Sequence, residues 1–112
     1  MKVTKRQKGD VTIIDLDGKI TIGAGDLALR NAVQDALGSG ATNVLINMSR
    51  VSTIDSSGVG ELVSAYTTAT NRGAKVKLTS LPAKVNDILT ITQLITVFDV
   101  YDREDEAVAS FA

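Results

Sequence analysis

Four consecutive residues, Asp55-Ser56-Ser57-Gly58, carry the chemistry this chain offers: an acid and two hydroxyls, closed by a glycine. A serine hydroxyl can act as a nucleophile, accept a phosphate or cap a helix. As a nucleophile it needs a neighbouring base to take its proton, and the chain has no histidine, no cysteine and no lysine at a suitable local spacing. The same absences remove disulfides, thiolate chemistry and zinc sites of the usual ligand type. No catalytic residue, metal site or cofactor is therefore expected, and the chain does not read as an enzyme. Capping and modification remain. Serine is a preferred cap residue and Asp55 serves equally well, while the S/T-x-x-E capping box is missing, because Val59 and Gly60 stand three residues beyond the two serines.

The flanking residues say where those hydroxyls are held. Val44-Leu45-Ile46-Asn47-Met48 is a short apolar run rich in branched side chains, suited to a strand buried on both faces of a parallel sheet. After the motif, Val59, Leu62, Val63 and Tyr66 fall at i, i+3, i+4 and i+7, the spacing of one helix face. A strand feeding a helix through this polar turn puts the hydroxyls beside the unpaired N–H groups and positive dipole end of the helix, a favourable seat for a phosphate. Gly58 and Gly60 cost roughly 1 kcal/mol each against alanine. The expected return is a helix start bare enough for a partner's backbone to approach.

The rest of the chain alternates strands and helices in the manner of βαβ units. Residues 3–8 and 11–17 predict an antiparallel pair turning at Gly9-Asp10, and Asp17-Gly18 a turn into a brief third strand over residues 19–22. In the second strand Ile14 and Leu16 face opposite to Val11 and Ile13, which calls for a sheet covered on one face and partly on the other. Gly23-Ala24-Gly25-Asp26 predicts a flexible link ending in Asp26 as a helix cap, followed by a helix over residues 27–37 that stops at Gly38-Ser39-Gly40. This glycine-rich link lacks the lysine and spacing of a Walker loop. A strand over residues 43–48, an extended connection through 49–54 and a long helix from Ser56 to Asn71 come next. Lys75–Thr79 alternates as a strand with Lys75 and Lys77 on its wet face, and Ala83–Ile91 predicts a helix with Val85, Ile88 and Leu89 inward. A last strand over residues 97–101 precedes a terminal helix whose acidic start, residues 102–106, is expected to be solvated, with Ala107, Val108 and Phe111 inward.

At 112 residues the whole of 1–112 reads as a single domain. A chain of that length buries roughly 65% of its unfolded surface, enough for a real core. Apolar content of 44%, charged content of 22% and a formal charge of −1 argue against general attraction to nucleic acid or to an anionic membrane. The basic start, Met1-Lys2-Val3-Thr4-Lys5-Arg6-Gln7-Lys8, leads into no signal-peptide core, and no apolar run approaches the ~18 residues of a membrane span. A cytoplasmic location is the expectation.

Ile54-Asp55-Ser56-Ser57-Gly58-Val59-Gly60, set between that strand and that helix, resembles the phosphorylation-site segment of STAS domains, specifically of bacterial anti-sigma-factor antagonists. Asp17-Gly18-Lys19-Ile20 is similar to the family's early strand and turn. Ile88-Leu89 with Leu94, and Val97-Phe98-Asp99-Val100-Tyr101, are similar to its closing helix and strand. The resemblance spans nearly the whole chain and implies a STAS-like α/β domain, with a mixed, mostly parallel sheet of about five strands and about four helices. It further implies partner switching in transcription regulation: an anti-sigma factor that is also a serine kinase phosphorylates the antagonist, a serine phosphatase restores it, and the unmodified form binds the kinase. The modified serine falls on Ser56, with Asp26, Asp55, Ser57, Gly58 and Gly60 around it as the partner-binding set, on a monomer or weak dimer. The loop holding Asp26 is richer in glycine than the acidic loop these antagonists carry. The other use of such domains is as a constitutive scaffold in a stressosome-like assembly or as an accessory subunit of a lipid transporter.

Overall fold

A positive backbone angle at Gly9, φ 60°, reverses the chain between two strands. In the computed structural model, which describes residues 1–112, these are β1 (Lys2–Lys8) and β2 (Val11–Ile20), paired antiparallel as expected. The chain continues as α1 (Ala24–Gly38), β3 (Asn43–Ile54), α2 (Ser56–Asn71), β4 (Lys75–Thr79), α3 (Ala83–Ile91), a 3₁₀ turn at Leu94–Thr96, β5 (Asp99–Tyr101) and α4 (Glu104–Ala109). The five strands lie in the order β1-β2-β3-β4-β5, and every pair after the first is parallel. This is the α/β domain, with its mixed, mostly parallel sheet and four helices, that the element pattern and the resemblance predict.

Two faces of unequal depth explain the double apolar pattern of β2. Ile14, Leu16 and Ile20 join α1, α2 and α3 in the main core with Val44, Ile46, Met48 and Leu78. On the opposite face Val11, Ile13 and Leu45 form a smaller cluster with Ala107 and Phe111 of the C-terminal segment.

The brief third strand over residues 19–22 is absent: Lys19 and Ile20 belong to β2, and Asp17-Gly18 is an irregularity inside it. Pairing with β3 runs on to Ile20 opposite Ile54, and register shifts flank Gly18, whose φ of 127° suits a glycine at a bulge. A local Asp-Gly signal is thereby overridden by a long parallel partner, since residues 49–54 are themselves a continuation of β3. The first helix also starts earlier than residue 27. Gly23, with φ 97°, stands at its N-cap, which puts Asp26 in the first turn and corrects its reading as the cap. The last strand is shorter than expected because residues 94–96 form the 3₁₀ turn, leaving Val97 and Phe98 outside β5.

Lys77 is not on a wet face. It is 8% exposed, its Nζ donates to the carbonyl and the hydroxyl of Ser110 at 3.0 Å each, and it lies 4.7 Å from the Phe111 ring centre and 5.7 Å from that of Tyr101. The face to which strand alternation assigns it is the one α4 covers, so its ammonium ends at the C-terminal carbonyls of that helix, where a cation is favoured.

Glu104 is likewise drawn out of the solvated acidic run. It accepts from Arg6, from Lys8 Nζ at 3.1 Å and from Asn47 Nδ2 at 3.0 Å, fastening α4 across β1 and β3. Arg6 also grips Asp15 of β2 through Nε, 2.6 Å from Oδ2. The Arg6 guanidinium, aided by Asn47 and Lys8, holds the Glu104 carboxyl down at about 2. A depressed carboxyl contributes stability above its unfolded value, near 4.5, and loses it as pH falls through the folded one. Glu104→Gln is therefore expected to lower stability at pH 7 by about 1–2 kcal/mol. It should also flatten the loss of stability between pH 4.5 and 2, measured by urea unfolding at each pH.

Candidate functional site

The end of β3 and the start of α2 meet at Asp55, whose extended backbone, φ −110° and ψ −175°, places it just outside the helix as N-cap. Its Oδ1 accepts from the Gly58 N–H at 3.0 Å, so Asp55 is the cap and neither serine is. The second carboxylate oxygen does something no local signal announces: Oδ2 accepts from the Ile22 N–H at 2.9 Å, across 33 residues of sequence. The Asp55 N–H in turn donates to the Ile20 carbonyl at 3.3 Å. The bonds from Gly58 and then from Ile22 hold the Asp55 carboxyl below the usual carboxylate range, so it stays charged at neutral pH.

Ser56, the first residue of α2, is exposed, and Ser57 is half-buried. The hydroxyl singled out as phosphoacceptor thus stands at the solvent edge of a sixteen-residue helix, at the end whose dipole favours an anion. The first turn of that helix carries no acidic side chain, so the only carboxylate of the motif is the capping one.

The two glycines of the motif part company. Gly60 is exposed, and a methyl group there meets nothing within 4 Å, consistent with a bare approach surface. Gly58 points the other way: it is buried, and a Cβ built on it would lie 2.1 Å from the Ile20 carbonyl oxygen and 2.7 Å from Ile54 Cγ1. Its missing side chain lets the helix sit against the ends of β2 and β3, which corrects the expectation that Gly58 bares the helix start. Gly25 does the same for α1, where a Cβ would come 2.1 Å from the Lys19 carbonyl. Both helix starts are pressed onto the last two residues of one strand.

Asp26 arrives beside this junction from α1. Its N–H donates to the Thr21 carbonyl at 3.0 Å, and its Oδ1 is buried without a hydrogen-bond partner. One turn on, Arg30 makes an ion pair with Glu61 of α2, a side chain left 10% exposed, which ties the two helices together just below the motif. Arg30 falls within the helical spacing of residues 27–37, but no local spacing pairs it with Glu61, 31 residues away. Ile22 and Leu27, which the sequence offers as the end of a strand and the start of a helix face, are 77% and 46% exposed on either side of the glycine link. The alternation of Ile20 and Ile22 about Thr21 reads as a strand, and that reading hides the exposure of Ile22.

The STAS domain family model matches residues 2–107. Solved structures agree in fold. A Thermotoga maritima protein assigned as an anti-sigma factor antagonist superposes with a TM-score of 0.88 at 25% identity, covering 96% of this chain and 92% of that one. The Bacillus cell fate determinant SpoIIAA in its phosphorylated form gives 0.74 at 19% identity, covering 99% and 100%. A sulfate transporter family protein of Wolinella succinogenes also gives 0.74 at 19%, covering 92% and 85%. A comparison with curated proteins finds no match. No helix of the structure is long and apolar enough to cross a membrane.

Proposed function

From its membership of the STAS domain family, we propose that this chain is an anti-sigma-factor antagonist that binds an anti-sigma factor acting as a serine kinase and is switched off by phosphorylation of Ser56. The observation that carries the reading is the exposure of Ser56 at the first position of α2, directly after an aspartate that is already spoken for as the cap. Since Asp55 takes the Gly58 N–H, the serine hydroxyl is not needed to start the helix and is available to an enzyme. Phosphate would add about −1.5 to −2 charges there at neutral pH. The positive end of α2 makes that charge tolerable to the fold, while a docked partner would have to bury it beside the Asp55 carboxylate. A relative with a phosphorylated form, SpoIIAA, supports the reading at the level of shared architecture.

Asp26, Asp55, Ser57 and Gly60 complete the proposed contact surface. Gly58 supports it from beneath. A serine phosphatase that restores the hydroxyl, a cytoplasmic setting and a monomer or weak dimer belong to the same reading. The likeness to a sulfate transporter family protein favours one alternative, a constitutive accessory or scaffold subunit whose serine is never modified. Incubation with the cognate kinase and ATP, followed by mass spectrometric mapping, separates the two. The expected result is one phosphate, on Ser56, and none on the Ser56→Ala protein. Modification confined to another residue, or none at all, would remove the switch and leave the scaffold.

A further inference from the structure

The carboxylate of Asp55 has two oxygens and two separate tasks. Oδ1 closes the start of α2 through Gly58, and Oδ2 holds the Ile22 N–H of a segment that α1, not α2, continues. A cap needs only the first bond. Around the second, the chain from residue 21 to residue 26 is fixed at both ends: Asp26 N–H returns to the Thr21 carbonyl, and Gly25 lies against the Lys19 carbonyl where no side chain fits. Ile22 is the residue that this arrangement leaves outside. It is 77% exposed, with Leu27 46% exposed one helical turn into α1, while its own amide is tied to the residue adjoining the phosphoacceptor. Isolated exposed apolar side chains are ordinary. One whose backbone is pinned beside a modifiable hydroxyl is held at low entropic cost to an encounter, which is how an anchor gains affinity.

We infer that Asp55 is a positioning residue that latches the Ile22 segment to the start of α2, so that Ile22 and the Ser56 hydroxyl are read by the partner as one rigid surface, with Ile22 seated in an apolar recess of that partner. This rests on the proposed antagonist function and adds to it the residue that sets specificity. An acidic surface alone would favour a partner by charge. An apolar anchor at fixed distance from the serine selects by shape, and it does so in a segment that carries glycines at residues 23 and 25.

The experiment takes the full chain in three forms: wild type, Asp55→Ser and Ile22→Ser. Serine is as good a cap as aspartate, but its single, shorter hydroxyl cannot hold both N–H groups. Amide hydrogen exchange by NMR, without any partner, reads the latch. Exchange at Ile22 is expected to rise at least 10-fold in Asp55→Ser while Gly58 stays protected; unchanged exchange at Ile22 overturns the latch. Titration calorimetry with the anti-sigma kinase reads recognition. Both variants are expected to bind at least 10-fold more weakly than wild type, with the melting temperature unchanged in Ile22→Ser and only modestly lowered in Asp55→Ser, which loses one charge-assisted bond. Wild-type affinity in Ile22→Ser overturns the anchor and leaves the antagonist function standing, whereas a wild-type protein that does not bind the kinase overturns the antagonist function and the recognition step with it. The exchange result stands or falls separately.

Discussion

Gly58→Ala is expected to destabilise the domain by about 2–4 kcal/mol, the range of overpacking and backbone displacement combined. For a chain of this size that is a fall in melting temperature of roughly 10–20 °C. Helix propensity argues for the opposite sign, because alanine is favoured over glycine by about 1 kcal/mol inside a helix. Sterics decide the matter. The new methyl would sit 2.1 Å from the Ile20 carbonyl oxygen and 2.7 Å from Ile54 Cγ1, with Ile20 Cγ2 at 2.9 Å. The isoleucine side chains could swing. The carbonyl cannot, since it belongs to the end of β2 and accepts from the Asp55 N–H. Relief would have to come from moving α2 away from the sheet, which opens the core around Val59 and Leu62, 8% and 0% exposed. Gly60→Ala is the control, two residues along the same helix with open space above it. There propensity is unopposed, and stability should stay constant or rise by up to about 1 kcal/mol. Thermal and urea unfolding of the two proteins side by side checks the pair. Equal effects would mean that Gly58 does not lie against β2.

Ser56→Asp is expected to weaken binding to the anti-sigma kinase about 100-fold, or about 2.7 kcal/mol, while Ser56→Ala stays within about 3-fold of wild type. The asymmetry distinguishes a charge effect from loss of the hydroxyl. An added carboxylate at an interface must shed its water, and without a cation to receive it the cost is several kcal/mol. Asp55 cannot relieve that cost, being charged itself and committed to two N–H groups. The fold should accept the change, because an acid in the first turn of α2 interacts favourably with the helix dipole by about 0.3–1 kcal/mol. Melting temperatures within a few degrees of wild type are expected, and calorimetric titration supplies the affinities. A Ser56→Asp protein binding as tightly as Ser56→Ala would rule out electrostatic exclusion as the basis of the switch. The phosphorylated wild type, with nearly twice the charge, should bind more weakly still.

Much of this molecule is legible along the chain. The limits of α2 and α3, Ser56–Asn71 and Ala83–Ile91, follow from the period of their apolar residues and from Asp55 and Arg72-Gly73, or Pro82, at their ends. So does the strand-to-helix passage that leaves Ser56 exposed, because capping, propensity and period are relations between residues a few positions apart. The two-faced pattern of β2 was readable for the same reason, and the structure supplies a covering for each face.

Only the tertiary structure decided what depends on distant partners. Alternation along β4 puts Lys77 on one face of the sheet, but whether that face is wet depends on where α4 lies, more than 25 residues later. Glu104 leaves the solvated acidic run because Arg6 and Lys8, from the other end of the chain, face it across β1. Asp17-Gly18 is a bulge and not a turn because β3 is long enough to keep pairing. Gly58 and Gly60 are identical in sequence and opposite in role because only one of them turns toward β2. The second bond of Asp55 belongs here as well. Local order is written in short-range spacing, whereas register, the choice of which face a helix covers, and contacts 33 or 98 residues apart are settled when the packed elements share one core.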